Sequence, residues 1–213
     1  PGLLQTLALN NYTKTLQVVG PQGTKKYMQE LLHIFMPAKK LKIQINEVTG
    51  RFFENDDFFL QTVSLYHSVP VNGYAFIEKD KLKIKKQLLQ KKLKTIKIGK
   101  NDLNKIESLK HGKDIILQGK LFKAKELTYK EEGRKISFVF DTGIGPNTIQ
   151  LAKDSEIAII ESTYGADELE QALEHKHLTA PQAADIAKKA KVKNLILTHI
   201  SQRYEFKEKI LLE

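Results

Sequence analysis

The most informative stretch of this chain is Leu195–Tyr204, LILTHISQRY. A short apolar run typical of a buried strand ends at His199, and a hydroxyl, an arginine and a tyrosine follow within five residues. Two earlier segments repeat this design, namely LYHSVP with His67 and FVFDTG with Asp141. Three strands that each end at a residue able to bind a metal or move a proton predict one shared site.

Around these segments the sequence alternates between strand and helix patterns, which predicts an α/β fold with helices covering a sheet. Apolar runs predict strands at 15–19, 41–48, 58–66, 74–78, 136–140, 157–160 and 195–198. Helices are predicted at 2–9, 24–35, 146–153 and from the capping box Thr179-x-x-Gln182 onward. Because ligands gather at the carboxyl ends of strands in such sheets, one edge should carry the residues that follow them, His67, Asp141, Glu161 and His199.

The composition is that of a folded protein, with 41 % hydrophobic and 28 % charged residues among 213. The chain has no cysteine, which excludes disulfides and thiolate metal sites and fits a cytoplasmic location. No apolar run approaches the ~20 residues that a membrane-spanning helix needs, so no membrane is expected as a partner.

The net charge of +10 is concentrated in one stretch. Nine lysines and no acidic residue lie between Lys81 and Lys100, interleaved with leucine and isoleucine rather than with aromatic residues. This pattern indicates a polyanionic partner and favours contact with a phosphate backbone over base stacking. Since the stretch is only weakly periodic and shows no convincing core pattern, we predict an insertion at 79–132 that projects as a helical arm or a hairpin, between core segments 1–78 and 133–213.

Any metal in this chain has to be held without thiolates, and His67, Asp141 and His199 would suit zinc or manganese. These three residues lie far apart in the sequence, and each histidine alone could equally be an ordinary packed side chain. In EHKHLT, His175 and His177 are either a pair of metal ligands or one general acid beside one solvent-facing ring.

Phosphate recognition is the second chemistry that the sequence offers. Arg203 carries a planar fork that matches two phosphate oxygens, and Ser201 could donate a hydroxyl beside it. An exposed loop arginine is the ordinary alternative for this residue. His33, in a helical stretch, and His111, in a turn of lysine and glycine, are expected to take no part in a site.

Six motifs occur in order along the chain: PGLL at 1–4, YHSVPVNGYAF at 66–76, FDTG at 140–143, ESTY at 161–164, HLT at 177–179 and LTHISQRY at 197–204. Together they resemble ribonuclease Z, the tRNA 3′-processing endonuclease family of the metallo-β-lactamase superfamily. The resemblance covers nearly the whole chain except for the lysine-rich middle.

This resemblance implies an αββα sandwich with a two-zinc site at its edge, which hydrolyses the phosphodiester just after the discriminator nucleotide of precursor tRNA. His67 would bind one zinc ion, His199 the other, and Asp141 would bridge both. His177, rather than His175, would donate a proton to the leaving group. The two metals would lower the pKa of a water and hold it for in-line attack.

The resemblance also implies how the RNA is held. Arg203 would contact phosphate, with Ser201 and Tyr204 as weaker carry-overs. The insertion would be a flexible arm that grips the tRNA elbow, typically from the other subunit of a homodimer. Its expected RNA contacts are Lys85, Lys86, Lys91 and Lys92.

Two features depart from the family pattern. The signature HxHxDH, which would come directly before PGLL and supply further zinc ligands and the general-base aspartate, is absent from this sequence. We therefore expect a sandwich incomplete at both termini, which alone binds zinc weakly and does not cleave tRNA. The insertion also lacks the Gly/Pro-rich element common in the family and offers lysines instead.

Two alternatives remain open at this point. One is another hydrolase of the same superfamily, acting on small phosphodiesters or sulfate esters, although a small substrate gives no reason for a basic insertion. The other is a non-catalytic RNA-binding module, which the missing ligands favour.

Overall fold

The computed structural model describes residues 1–35, 41–94, 96 and 98–205. The chain divides into two compact units. We call Pro1–Ile77 together with Lys135–Glu213 the core unit, and Glu78–Arg134 the inserted unit.

Eight α-helices lie within the described residues, and they are α1 (Gly2–Leu9), α2 (Thr24–Phe35), α3 (Lys86–Leu93), α4 (Lys100–Ser108), α5 (Ala124–Leu127), α6 (Pro146–Ala152), α7 (Leu169–His175) and α8 (Ala180–Lys189). Short 3-10 turns occur at Leu109–His111, Ala166–Glu168 and Gln202–Tyr204. Among the helices described, none is both long enough and apolar enough to cross a bilayer.

The same residues contain twelve strands, and they are β1 (Leu16–Gly20), β2 (Ile43–Glu47), β3 (Gly50–Glu54), β4 (Phe58–Leu65), β5 (Val71–Glu78), β6 (Lys81–Ile84), β7 (Ile115–Leu117), β8 (Lys120–Phe122), β9 (Thr128–Glu131), β10 (Lys135–Val139), β11 (Ile157–Glu161) and β12 (Asn194–Thr198). The predicted strands and helices of the core unit are confirmed within a few residues at each end. β3 and α7 were not predicted.

The main sheet of the core unit has six strands in the order β12-β11-β10-β5-β4-β3. Strands β10, β11 and β12 are parallel, whereas β5 pairs with β10 in the antiparallel direction. The register places Glu161 at the end of β11 opposite Thr198 at the end of β12. Because the three parallel strands run the same way, the residues after them emerge at one edge. The predicted α/β class is confirmed.

Helix α8 covers this sheet, and its sequence explains both its start and its buried face. Thr179 Oγ1 accepts a hydrogen bond from Gln182 N at 3.3 Å, and Gln182 Oε1 accepts one from Thr179 N at 2.9 Å. This reciprocal pair is the predicted capping box, and it satisfies two backbone donors that the helix itself leaves open. The buried apolar face consists of Ala183, Ile186, Ala187 and Ala190.

The chain turns sharply where the parallel strands end. Asp141, two residues after β10, has φ +48°, and His199, directly after β12, has φ +55°. Lys176, between α7 and the next helix, has φ +57°. Positive φ is uncommon for residues other than glycine, and it clusters where a backbone is bent to aim a side chain. These turns therefore indicate a functional site in the connections at the sheet edge.

The first part of the core unit contains a separate parallel pair, in which Leu16 of β1 lies opposite Ile43 of β2. Helix α2, which the apolar spacing of 24–35 predicts, connects the two strands. Its apolar residues nevertheless stay accessible in this chain, with Tyr27 67 % and Ile34 70 % exposed. β3 was missed because GRFFE has two adjacent phenylalanines instead of the alternation by which a half-buried strand is recognised.

The inserted unit has an apolar core that its weakly periodic sequence does not indicate. Leu109 and Leu127 are fully buried and Leu117 is 1 % exposed, and they pack in one apolar cluster with Leu89, Ile96, Ile115, Phe122 and Ala124. These residues come from two short helices, a 3-10 turn and short strands, so no single long period appears in the sequence. A core assembled from many short elements leaves no regular spacing of apolar residues in the sequence.

Two pairs of strands shape the inserted unit. β6 and β9 are antiparallel, with Lys81 opposite Glu131 and Ile84 opposite Thr128. β7 and β8 form a hairpin closed by Gln118 and Gly119, which have φ +47° and +77°. Two successive residues at positive φ are what the two-residue hairpin turn with right-handed strand twist requires.

Candidate metal centre

One edge of the main sheet carries four side chains that can bind a metal or move a proton. Asp141 follows β10, His199 follows β12 and His67 follows β4. His177 lies in the connection between α7 and α8. Each residue belongs to a different connection, so only the tertiary fold brings them together.

The distances within this group are short. His199 Nε2 lies 3.3 Å from Asp141 Oδ1. One ligand atom from each of Asp141, His177 and His199 can be chosen so that all three lie within 4.8 Å of one another. The His177 ring centroid lies 5.3 Å from that of His199 and 5.0 Å from that of His67. We call these four residues the metal centre.

The metal centre rests on one buried carboxylate, Glu161, which has no exposed surface. Its Oε1 accepts from Thr142 N at 2.6 Å and from His177 Nδ1 at 2.8 Å. Its Oε2 accepts from Leu178 N at 3.1 Å and from Thr163 Oγ1 at 2.8 Å. Glu161 thus holds together the loop that contains Asp141, the loop that contains His177, and Thr163, which contacts His199. A buried charge is tolerated only when it is satisfied in this way.

The hydrogen bonds around Thr163 fix the tautomer of His199. Thr163 Oγ1 lies 2.8 Å from Glu161 Oε2 and 2.9 Å from His199 Nδ1. A carboxylate can only accept, so the single hydroxyl proton of Thr163 goes to Glu161. His199 Nδ1 must then donate to Thr163, which leaves the lone pair of a neutral ring on Nε2. That lone pair faces the carboxylate oxygen of Asp141, an arrangement that a cation between them would stabilise.

The other two imidazoles are held in the same manner. His67 Nδ1 lies 3.1 Å from the carbonyl oxygen of Lys176, which can only accept, so Nδ1 is the donor. His177 Nδ1 donates to Glu161. Histidines that bind metals usually donate their outer N–H to a carboxylate, a carbonyl or a similar acceptor. All three rings fit that pattern.

The donor set fits a metal that accepts nitrogen and oxygen ligands. Imidazole nitrogen and carboxylate oxygen, without thiolate, suit zinc and related divalent ions. The sequence predicted His67, Asp141 and His199 as ligands, whereas the tightest group contains His177 in place of His67. The ring of His67 lies next to that of His177, with 5.0 Å between the centroids of His67 and His177.

Arg203 has acidic and aromatic neighbours rather than open space. Its Nη1 forms an ion pair with Glu168, and its Nε donates to Ser201 Oγ at 3.1 Å. The guanidinium lies 5.4 Å from the centroid of the Tyr164 ring. Tyr204 is buried, and its hydroxyl donates to Glu168 and accepts from the backbone of residue 165. A phosphate at Arg203 would therefore have to compete with the Glu168 carboxylate.

The remaining histidines lie outside the metal centre. His175 stacks on Tyr164, with ring centroids 6.3 Å apart and an interplanar angle of 12°. His33 is exposed in α2, and His111 ends a 3-10 turn of the inserted unit. Within the described part of the chain, Asp141, His177 and His199 form the single group of this kind that could hold a metal.

The four predicted RNA-contacting lysines lie at the start of the inserted unit and are exposed. Lys86 and Lys91 belong to α3, whereas Lys85 precedes it and donates to the Glu126 carbonyl at 3.2 Å. Lys92 forms a 2.8 Å ion pair with Glu126. This ammonium lowers the pKa of the Glu126 carboxyl. Lys85 and Lys92 thus have intramolecular partners that an RNA phosphate would displace.

Two ion pairs close the ends of the inserted unit. Arg134 donates to both carboxylate oxygens of Glu78, at 2.9 and 3.0 Å. These hydrogen bonds lower the pKa of Glu78 from 4.5 to about 2. Lys130 pairs with Asp80 at 2.7 Å, which lowers the pKa of Asp80 and raises that of Lys130. The bidentate geometry makes the first pair the more specific of the two.

Sequence reasoning missed the residues that hold the metal centre in place. Thr163 and Thr142 were not predicted to have roles, and Glu161 was placed at the sheet edge without one. The signal that could have found Thr163 is the motif ESTY, in which a hydroxyl follows the glutamate by two residues. Nothing in the sequence pairs Glu161 with Thr142 or with the backbone of Leu178, since those contacts depend on the fold.

No protein-family model matches this chain. Among curated proteins, ribonuclease Z of Nanoarchaeum equitans is 31 % identical over 205 residues, which cover 96 % of this chain and 63 % of that protein. The chain spans 63–66 % of the length of the first ribonuclease Z relatives that it matches, less than two thirds.

Solved structures show the fold. The crystal structure of the short form of human tRNase Z matches with a TM-score of 0.61 and 20 % identity, over 96 % of this chain and 68 % of that one. The metallo-β-lactamase fold protein YhfI of Bacillus subtilis matches with a TM-score of 0.56 and 14 % identity, over 94 % and 58 %. The expected metallo-β-lactamase-like fold is confirmed.

Proposed function

Because 96 % of this chain is similar to ribonuclease Z at 31–34 % identity, we propose that it belongs to that family and works as part of a zinc-dependent endonuclease that removes the 3′ trailer from precursor tRNA. The observation that carries the proposal is the pairing of Asp141 with His199 beside two more imidazoles. The outer nitrogens of all three rings are already hydrogen-bonded to a hydroxyl, a carboxylate and a carbonyl. Outer hydrogen bonds of this kind are usual for metal-binding histidines, which supports the proposal.

Zinc is the proposed ion, and His67, Asp141 and His199 would hold it. When bound, zinc supplies Lewis-acid polarisation of the phosphodiester. The chain's own contribution is orientation. Thr163 fixes the His199 ring, and the Lys176 carbonyl fixes the His67 ring. Both ligands are therefore held before any substrate arrives.

His177 is the proposed proton donor to the leaving oxygen. Its Nδ1 donates to the buried Glu161 carboxylate, so a protonated ring would carry its second proton on Nε2. The carboxylate balances the charge of that imidazolium and keeps the ring in one orientation. Only 16 % of the His177 side chain is exposed, so few water molecules can compete with Glu161 for hydrogen bonds to the ring. His177 also lies within reach of a metal, so its role has to be tested separately from that of His199.

The inserted unit is proposed to bind the tRNA through its exposed lysines. Lys86 and Lys91 are the strongest candidates because Lys85 and Lys92 already contact Glu126. Lysines without interleaved aromatic residues favour phosphate contact, which gives affinity without sequence preference. We also propose a homodimer in the cytoplasm, with the inserted unit of one subunit gripping tRNA bound to the other.

Two binding measurements on this chain test the proposal. Zinc is titrated in competition with a chromophoric chelator, using the wild type, His199→Ala, His177→Ala and the control His33→Ala. Precursor tRNA with a 3′ trailer is then titrated at several salt concentrations. We expect His199→Ala to abolish measurable zinc binding, and His177→Ala to change it only a few-fold. Precursor tRNA binding should weaken steeply with salt.

The outcomes separate the alternatives. RNA binding with no zinc binding would support a non-catalytic RNA-binding module. Zinc binding with no affinity for precursor tRNA would support a hydrolase of small phosphodiesters or sulfate esters. If His177→Ala weakens zinc binding as much as His199→Ala does, His177 is a ligand and the proposed proton-donor role is wrong.

A further inference from the structure

Beside the metal centre lies an aromatic ring that the proposed chemistry does not use. Tyr66 directly precedes His67, and it is 55 % exposed. Phe140 and Ile144, on either side of Asp141 in the sequence, are 40 % and 52 % exposed. Single exposed apolar residues need no explanation.

The main chain of Tyr66 is firmly held. Tyr66 N donates to Thr142 Oγ1 at 3.1 Å, and Tyr66 O accepts from Gly143 N at 2.8 Å and from Thr142 Oγ1 at 3.2 Å. Thr142 is fully buried. The ring also lies against Gly143, where an added Cβ would come within 3.2 Å of its Cδ1 atom. Tyr66 is therefore an accessible ring on a firmly held stretch of backbone.

A cation accompanies this ring. Lys176 Nζ lies 5.1 Å from the centroid of the Tyr66 ring. The carbonyl oxygen of the same lysine is the atom that holds His67 Nδ1. Lys176 is thus connected to the aromatic ring by its ammonium group and to the metal centre by its backbone.

An aromatic face and an ammonium group next to each other match the two parts of a nucleotide. Bases stack on exposed aromatic rings irrespective of sequence, and the neighbouring cation meets a phosphate. We propose that Tyr66 and Lys176 form a subsite for one nucleotide adjoining the phosphodiester at the metal centre. The proposal rests on the proposed function, since it names where that same RNA substrate is held.

The absence of tryptophan from the chain gives a direct test. Tyr66→Trp places a single fluorescent reporter in the subsite, and Tyr27→Trp, at the exposed Tyr27 of α2, is the matched control. Both variants are titrated with precursor tRNA in the presence of EDTA, so that no metal-dependent cleavage occurs. We expect quenching of the tryptophan at 66 and none at 27. A precursor with an abasic nucleotide at one position flanking the cleavage site should lose most of that quenching.

Affinity gives a second readout. Tyr66→Ala should weaken precursor tRNA binding roughly 10-fold, and Tyr66→Phe should leave it unchanged, because stacking needs the ring and not the hydroxyl. Lys176→Gln should reduce the salt slope by about 0.7, the value for one phosphate of a single strand. Circular dichroism of each variant checks that the variant is folded.

Three results would overturn the subsite. One is a silent tryptophan at 66 while a gel-shift assay shows RNA binding, and this leaves the proposed function intact. Another is equal affinity for intact precursor and for every abasic precursor. The third is a tryptophan at 66 that acrylamide cannot quench in the free protein, because another part of the chain would then cover the ring. Loss of all RNA binding by the wild type would overturn both proposals.

Discussion

The metal centre and the inserted unit treat charge in opposite ways. Among the residues described, Glu161 is the only buried charged side chain, and it organises the metal centre through hydrogen bonds. In the inserted unit, most of the lysines whose burial is described are exposed, and the main buried cluster is apolar. A buried charge demands partners at fixed distances, whereas exposed charges attract a polyanion without fixing geometry. We therefore expect precise geometry from the metal centre and affinity for RNA from the inserted unit.

The largest effect expected from this contrast is on folding of the core unit. Glu161→Ala leaves Thr142 N, Leu178 N and His177 Nδ1 without their acceptor in a buried place. A buried donor left without its acceptor typically costs roughly 1–3 kcal/mol. Urea unfolding should show that loss, against a change within ~0.5 kcal/mol for Asp185→Ala, which removes an exposed ion pair with Lys189. A similar, small cost for both variants would show that burial of Glu161 is not what holds the metal centre.

The next effect concerns zinc affinity. His199→Ala should lower it by more than the roughly 10–100-fold that loss of an outer hydrogen-bond partner costs, and Thr163→Val should lower it by about that factor. His111→Ala, in the inserted unit, should have no effect. Competition with a chromophoric chelator measures all three. Equal affinity in Thr163→Val and the wild type would show that the hydroxyl does not orient His199.

Lysine substitution should affect RNA binding and leave the metal centre unchanged. Lys86→Gln with Lys91→Gln should reduce the slope of log affinity against log salt by about 1.5, at 0.7–0.9 per phosphate contact. Lys85→Gln with Lys92→Gln should reduce it less, because those two lysines already contact Glu126. Lys188→Gln with Lys189→Gln, on α8, is the control.

If the slope is unchanged in both lysine pairs of the inserted unit as well as in the control pair, these lysines do not bind the RNA. Zinc affinity, measured on the same proteins, should stay at the wild-type value. A parallel loss of zinc affinity would contradict the division of roles between the two units.

The smallest effect is a pH dependence of the inserted unit. Arg134 holds the pKa of Glu78 at about 2, below its usual 4.5. A lowered pKa stabilises the folded form above the unfolded-state pKa, and this contribution is lost as the pH falls from about 4.5 through about 2. The stability difference between the wild type and Glu78→Gln, followed by amide exchange in 78–134, should be present at pH 5 and shrink towards pH 2. A difference that does not depend on pH would exclude this ion pair as its source.

Local signals predicted much of the core unit. The capping box at Thr179 and the apolar run 195–198 each state their structure within a few neighbouring residues, and both appear as predicted. The core of the inserted unit was missed because Leu109, Leu117 and Leu127 come from separate short elements. Their burial depends on how those elements pack, which no local period records.

The sequence by itself determined the α/β class, the strands that end at His67, Asp141 and His199, and the concentration of positive charge in 81–100. These features follow from residue type and spacing along the chain. The fold, in contrast, brings Thr142, Thr163 and His177 to one buried carboxylate, Glu161, and places the accessible ring of Tyr66 beside the metal centre. The physical reason is that hydrogen bonds and burial join residues far apart in sequence, and their partners are set by packing.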